Sequence, residues 1–483
     1  MSSSPSSSPC SSRPVVIVGA GIAGLAAASR LHASGIPVVV VESRDRIGGR
    51  IQAVHSAQTG TSYDLGACWY HSTDNNPLFD LVKQDQTQWV HDDANVQLIG
   101  NTPLDGLDMH AVTSLHGEMA EWIKSHYVKK DTTVKEAIAD FFTATGNGSG
   151  YSESVKGWAV SLLRASCEIA NGSSWEVIGA CNAIGTPEGR DAFNLSTYAA
   201  VVDKLAQQLP SESIKLSTVV TGIDYNEEMV CVTTANGEVY NGSRCIVTVP
   251  FGVLKLEHKP EPTKGLPGAI LFNPPLPKPV VDKLDKSKFV PLLKIILEFK
   301  EPRWDLNVDR WLVLPAPTAP TPAAAAPKST MQHFTDYAAL GHVDAFDYAS
   351  LAVNLTKTKG LDHGALMLLL PAPFSQQVEA APEDQQAEAA WEVALPIVRQ
   401  LLGGSEPEMP STIISTRWGM DPFARGVIPS QAPGDVPFGL ELVQGFGRLR
   451  FAGESTVGGT ARGCAHGAYI SGLREADRII AER

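Results

Sequence analysis

Three glycines, Gly19, Gly21 and Gly24, follow the apolar run Val15-Val-Ile-Val18, and a carboxylate, Glu42, closes a second apolar run from Val38 to Val41. That pattern suits phosphate chemistry. Gly19 permits a tight turn, Gly21 lets the backbone approach a pyrophosphate, and Gly24 lets the next helix lie close to the strand. The helix N-terminus then offers free N–H groups and the positive end of its dipole to the phosphates. Glu42 falls where ribose hydroxyls need an acceptor. Strand, turn, helix and acid stand in the order a dinucleotide site requires, which separates this pattern from an empty glycine-rich turn. A second candidate is Lys294, inside the run LLKIILEF. Burying an ammonium is costly unless it is paired or functional. Strand alternation alone assigns it to the solvent face of a half-buried strand.

The elements that must position these residues are legible in outline. A βαβ unit runs from about 14 to 66. Residues 77–200 carry helical patterning, for example over 116–127 and 151–165. The period then shortens to strand type over 214–220, 230–234, 239–240 and 245–249, with Asn236-Gly237 as a hairpin turn. Residues 245–250 read as a strand returning to the dinucleotide-binding sheet. Strands follow at 292–299 and 367–370. A helix spans 383–402, with Pro382 at its start, Gly403-Gly404 as its stop and a kink due at Pro396. The chain ends with a strand over 449–452 and a helix over 463–482. The fold class is therefore α/β, α+β overall, with a Rossmann-type domain assembled from 14–75, 205–288 and 410–483. It is interleaved with a mixed-sheet-plus-helices substrate domain from 76–204 and 289–409. Residues 1–13 read as a disordered tail, and the Pro/Ala-rich stretch 315–328 as a surface insertion.

Composition narrows the function classes. At 483 residues the chain exceeds one ordinary core, so more than one domain is expected. The net charge of −13 argues against a nucleic-acid surface and weakly favours a cationic substrate. The seven cysteines are scattered singly, the pattern of reduced thiols in an intracellular protein. The N-terminus lacks the apolar core of a secretory signal, no run is long enough to span a membrane, and the C-terminus is not of SKL type. A cytoplasmic monomer or homodimer is the expectation, with neither membrane nor metal involved.

Four motifs together resemble the flavin-dependent amine oxidases, and within them the polyamine oxidases, especially fungal spermine-oxidase-like enzymes. They are the fingerprint through Gly48-Gly49-Arg50; Asp64-Leu-Gly-Ala-Cys-Trp-Tyr-His71 with Asn76-Pro-Leu-Phe79; Trp418 through Arg425-Gly426; and Phe451-Ala-Gly-Glu454 with Gly463-Cys-Ala-His-Gly-Ala-Tyr469. The resemblance implies FAD as cofactor. Gly19, Gly21, Gly24, Glu42, Arg50, Gly66, Ala67, Trp418, Glu454 and Gly463 would serve it, and the backbone of Val220 would contact adenine. It also gives Lys294 a catalytic role, holding a water beside flavin N5, and sets His71 near the substrate amine as an acceptor. Asp92, Asp93 and Glu168 would bind a second ammonium in the substrate channel. The bland alternatives are a surface-loop histidine and solvated acids. Trp69, Tyr70 and His466 complete the implied substrate pocket.

The resemblance further implies the reaction. Hydride would pass from a polyamine (spermine, spermidine or an N-acetyl form) to flavin N5. The resulting imine would be hydrolysed to aldehyde and amine, and O2 reduced to H2O2. One departure stands out. Relatives carry an aromatic residue after the Arg-Gly step, where this chain has Val427-Ile428-Pro429, and the other aromatic position falls near Cys464 or His466. No cysteine follows the Arg-Gly step, so FAD is expected to be non-covalent. Rival readings are an amino-acid oxidase, with Arg164 or Arg425 facing a carboxylate, a desaturase, or a flavin-binding protein that has lost catalysis.

Overall fold

The computed structural model describes residues 13–84, 89–93, 95–127, 132–144, 146–183, 189–258, 267–287, 289–317, 343–429, 432–433 and 439–483. The expected tail, 1–13, lies outside these residues except for Arg13, and the 315–328 insertion lies outside them from 318 onward. Among the described residues no helix is long and apolar enough to cross a membrane.

Val15–Val18 is buried on both faces and forms the centre of a five-stranded parallel sheet. Its order is Leu449–Phe451, Arg244–Val247, Val15–Val18, Val38–Val41, Ile214–Lys215. Ile17 pairs with Ile246 on one side and Val40 on the other, so three distant pieces of chain meet in one sheet, as the interleaved reading requires. One face is covered by helices Ile22–Ala33, Ala199–Ala206 and Ala465–Ala481 around a shared apolar core. The first and last of these approach closely: a Cβ on Gly472 would lie 2.1 Å from the Ala23 carbonyl oxygen. The other face packs against a four-stranded sheet, ordered Val239–Gly242, Val230–Thr234, Val220–Tyr225, Leu271–Asn273.

The second body centres on a six-stranded sheet, ordered Thr412–Ser415, Leu293–Phe299, Gly364–Leu370, Ser350–Asn354, Arg310–Val313, Val96–Ile99. Helices Met109–His126, Val134–Thr143 and Glu153–Asn171 form a separate apolar cluster beside it, and Phe374–Ala380 and Gln386–Leu401 pack on one face.

Two domain boundaries differ from the sequence reading. Thr412–Ser415, assigned by sequence to the cofactor piece beginning at 410, pairs antiparallel with Leu293–Phe299. Helix Ala199–Ala206, assigned to the substrate piece, packs on Ile22–Ala33 and buries Val201 and Val202 in the cofactor-domain core. Both are tertiary choices between apolar surfaces that local patterning cannot distinguish. Leu293–Phe299 also departs from alternation. All seven of its residues are buried, because the sheet is covered on both faces.

Burial of this strand brings a carboxylate inside with it. Glu298 accepts hydrogen bonds from Ser56 Oγ at 2.6 Å, Thr59 Oγ1 at 2.6 Å and Tyr63 OH at 2.7 Å. These three donors belong to the hairpin of Ala53–His55 and Ser62–Asp64, so Glu298 fastens the first body to the second. Glu298→Ala leaves buried hydroxyls without an acceptor and is expected to cost roughly 3 kcal/mol in urea unfolding. Glu298→Gln should recover part of that loss, because its amide oxygen still accepts.

Candidate active site

One cavity of about 730 Å³ lies between the two bodies. Its lining includes Gly19, Glu42, Thr248 and Glu454, each just beyond the C-terminal end of a parallel strand. That crevice is where open α/β sheets bind ligands. It continues to Lys294 and Arg310 of the six-stranded sheet. The glycine turn and the candidate reactive residues therefore face a single volume.

At the phosphate end the glycines divide by cause. Gly19 has φ of +106°, and a Cβ there would lie 2.6 Å from Thr248 Oγ1; a Cβ on Gly24 would lie 2.0 Å from the Gly19 carbonyl oxygen. The protein itself demands glycine at these two positions. A Cβ on Gly21 would meet no protein atom within 4 Å, and the same holds at Gly463, although both line the cavity. Both leave room for a ligand, although at Gly463 a φ of +78° also favours glycine. The helices beginning at Ile22 and Ala465 both lack a capping side chain, and residues at both N-termini line the cavity. Their first N–H groups are left for an anion or a carbonyl. Glu42 is buried and accepts from Ala20 N at 2.7 Å and Arg44 N at 2.9 Å, which aims its carboxylate into the site. These observations fit a bound dinucleotide.

Arg50 and Glu454 form a clamp at 2.7 Å, and Arg50 also donates to the Val427 carbonyl at 3.0 Å. Burial alone would push the Glu454 carboxyl up, but the Arg50 charge and hydrogen bond hold it below the usual range. Val220, Ala67 and Trp418 all line the cavity, and Trp418 Nε1 donates to the Leu65 carbonyl at 3.2 Å. Gly66 lines it too, though its lack of a side chain has a protein cause: a Cβ would lie 1.6 Å from the Arg50 carbonyl oxygen. Val427, Ile428 and Cys464 line the cavity where relatives were expected to carry aromatic rings.

Lys294 is 4% exposed. Its Nζ donates to the Asp64 carbonyl at 2.8 Å, the Gly66 carbonyl at 2.7 Å and Cys68 Sγ at 3.2 Å. The solvent-face alternative is thus excluded. His71 sits at the cavity with Nδ1 at 2.7 Å from Asp191 Oδ2, while Asp191 Oδ1 accepts from Ser72 N at 2.9 Å. Burial pushes the Asp191 carboxyl up, but the His71 hydrogen bond and charge outweigh it and leave it below its ordinary value. An ionised Asp191 only accepts, so the hydrogen of the pair sits on Nδ1 and Nε2 is left for the cavity side. Asp92 lines the cavity, accepts from Trp69 Nε1 at 2.7 Å and forms an ion pair with Arg310. Trp69 also lines it, with the Arg310 guanidinium 5.1 Å from its ring centroid.

Four expected substrate residues are not at the cavity. Tyr70 is buried in the cofactor-domain core, stacked on Tyr198 at 4.5 Å. Strand alternation sends Trp69 one way and Tyr70 the other. Asp93 pairs with Arg190 in solvent. Glu168 is fully buried in the helical core, paired with Arg164 at 3.3 Å and accepting from Trp175 N and Ala349 N, so that Arg164 is consumed as well. His466 lies buried one helical position past the cavity-lining Ala465. Of the arginines considered for a substrate carboxylate, Arg425 reaches outward to the Pro267 carbonyl at 3.0 Å. Sequence reasoning missed Asp191, Cys68 and Arg310. Arg310 carried a usable signal, a cation opening an apolar strand; Asp191 carried none.

Comparison with known proteins agrees with this geometry. A family model described as flavin containing amine oxidoreductase matches residues 22–480. The chain is 28% identical to the corticosteroid-binding protein of Candida albicans, over 97% of this chain and 96% of that one. It is 28% identical to lysine-specific histone demethylase 2 of Homo sapiens, over 97% of this chain but 53% of the relative, so the chain spans about half the length of that relative. It is 26% identical to polyamine oxidase 4 of Oryza sativa subsp. japonica, over 97% of this chain and 89% of that one. A solved putrescine oxidase variant superposes with a TM-score of 0.70 at 16% identity, covering 98% of this chain and 99% of that one, which establishes the fold.

Two outcomes follow from the clamp and from the loop that carries Trp418. Glu454→Ala strands the Arg50 charge, and flavin affinity, measured by retention on dialysis, should fall on the order of tenfold or more. Glu379 accepts from Gly419 N at 3.2 Å and Met420 N at 3.1 Å, and burial pushes its carboxyl up to about 7. A carboxyl raised on folding contributes stability below its unfolded range and loses it as pH rises through about 7. Glu379→Gln should therefore raise the melting temperature relative to the parent at pH 8.5 more than at pH 5.5, read by calorimetry.

Proposed function

The chain belongs to the flavin containing amine oxidoreductase family, and on that premise we propose that it oxidises a polyamine, either spermine, spermidine or an N-acetylated form, with O2 as final acceptor. The cofactor is FAD, held without a covalent link. When bound, FAD supplies the two-electron acceptor that the side chains lack. The observation that carries the reading is the pairing, across one cavity, of buried Lys294 with the His71–Asp191 dyad.

The roles follow from chemistry. An amine must lose its positive charge before the adjacent carbon can give up a hydride. His71 Nε2, oriented by Asp191, accepts that hydrogen bond or proton. Trp69 and Trp418 give the pocket flat apolar walls, and the aliphatic lining from Leu292, Leu351 and Leu369 excludes water. Lys294 stands with two backbone carbonyls as fixed acceptors, so its third hydrogen is directed to Cys68 or to a water. The oxidised product is an imine, which water splits into aldehyde and shorter amine. The polyamine oxidase among its relatives supports this substrate class. The presence of the lysine and the dyad at one cavity argues for an active enzyme over a flavin-bearing binding protein.

Peroxide release across a panel of amines tests the reading. Polyamine turnover is expected. Turnover confined to aromatic monoamines would replace the substrate class. Lys294→Met should retain flavin and lower kcat/KM roughly 100-fold or more. Unchanged turnover would remove Lys294 from the mechanism.

A further inference from the structure

The charges at the reactive end do not match a substrate with an ammonium at each end. Glu168 is sealed in the helical core and Asp93 is paired outside the cavity. Asp92 does line the cavity, but its Oδ2 takes both Trp69 Nε1 and Arg310 Nη2, and the Arg310 charge offsets its own. Asp191 alone remains, and it serves His71. Among the described residues, each carboxylate on the cavity wall at this end is already paired, Asp92 with Arg310 and Asp191 with His71.

Arg310 offers the opposite chemistry. It lines the cavity, with a side chain 16% exposed. Its Nη2 meets Asp92, while Nε and Nη1 have no hydrogen-bond partner among the described residues. The guanidinium is fixed in place. Its strand pairs Arg310 with Val353 on one side and Val96 on the other, and the Trp69 ring lies beneath the charge. Its field reaches the dyad, where it helps to lower Asp191. Lys294 adds a second cation to the same cavity. A planar fork with spare N–H groups is built to donate to a carbonyl or carboxylate. An ammonium placed beside it would meet like charge.

We infer that Arg310 is a specificity-determining residue of this cavity. It selects an amine whose far end bears a hydrogen-bond acceptor, uncharged or anionic, over a free polyamine. The shared chemistry is an oxygen acceptor, from either an acylated nitrogen or a carboxylate. The inference rests on the amine-oxidase reading above: an acylated polyamine as the preferred substrate narrows the polyamine class, and a carboxylate-bearing amine as the preferred substrate replaces it.

The test uses the FAD-loaded enzyme with spermine, N1-acetylspermine and 6-aminohexanoate, measuring peroxide and scoring kcat and KM separately. The parent should prefer N1-acetylspermine or 6-aminohexanoate to spermine by roughly tenfold or more in kcat/KM. The winner of the two identifies the source of the acceptor. Arg310→Gln should raise KM for that winner by a similar factor with kcat nearly unchanged, and should lower KM for spermine. If Arg310→Gln fails to hold flavin, Arg310→Lys is read instead. It keeps the charge and loses the fork, so spermine should stay disfavoured while KM for the winner rises. A parent that prefers spermine, or an Arg310 variant that changes all three substrates alike, overturns the inference and leaves the amine-oxidase reading standing. Peroxide from none of the three overturns both.

Discussion

A buried ammonium must be surrounded by acceptors, and in this protein that requirement joins the two halves of the molecule. Lys294 belongs to the six-stranded sheet, yet its acceptors are the carbonyls of Asp64, which ends the hairpin of the first body, and of Gly66 just after it. Four residues along the same strand, and on the same face, Glu298 grips hydroxyls from that hairpin. The two side chains are opposite in charge and both buried, and both find their partners across the junction. Either one left unpaired would cost several kcal/mol. The docking of strand on hairpin is thereby fixed in register, and with it the placement of Gly66, Ala67 and Cys68 on the cavity wall.

Around that junction the cavity is shaped as much by missing atoms as by present ones. Gly19 and Gly24 are small because the protein's own backbone and Thr248 fill the space. Gly21 has neither a close neighbour in the protein nor a positive φ to explain its lack of a side chain, whereas at Gly463 a φ of +78° favours glycine as well. This difference distinguishes glycines that make the fold from glycines that make room. Two uncapped helix ends point into the same volume, and helix ends left bare in a protein interior require a partner.

The reactive end is governed by charge balance. Each acid near it is matched: Asp92 by Arg310, Asp191 by His71, Glu454 by Arg50. The arrangement ties each of these acids to a partner and leaves spare N–H groups on Arg310 beside the acceptor His71 Nε2. Which groups the protein has already used is a property that no single motif records.

The chain alone determined the local devices. A βαβ turn with its glycines, the acid at Glu42 and the final strand and helix are read from spacing, because each depends on neighbours within a few tens of residues. Resemblance carried Lys294, His71 and Glu454 to their places. Tertiary structure decided the rest. Whether Lys294 faces solvent depends on what covers its sheet, and both faces are covered. Whether Glu168 binds substrate depends on the turn of a helix within its bundle, and it faces Arg164 and Trp175. Asp191 meets His71 across 120 residues and Arg310 meets Asp92 across 218, separations at which sequence holds no trace of contact. Local pattern fixes which residues can do chemistry; packing fixes which of them remain unpaired to do it.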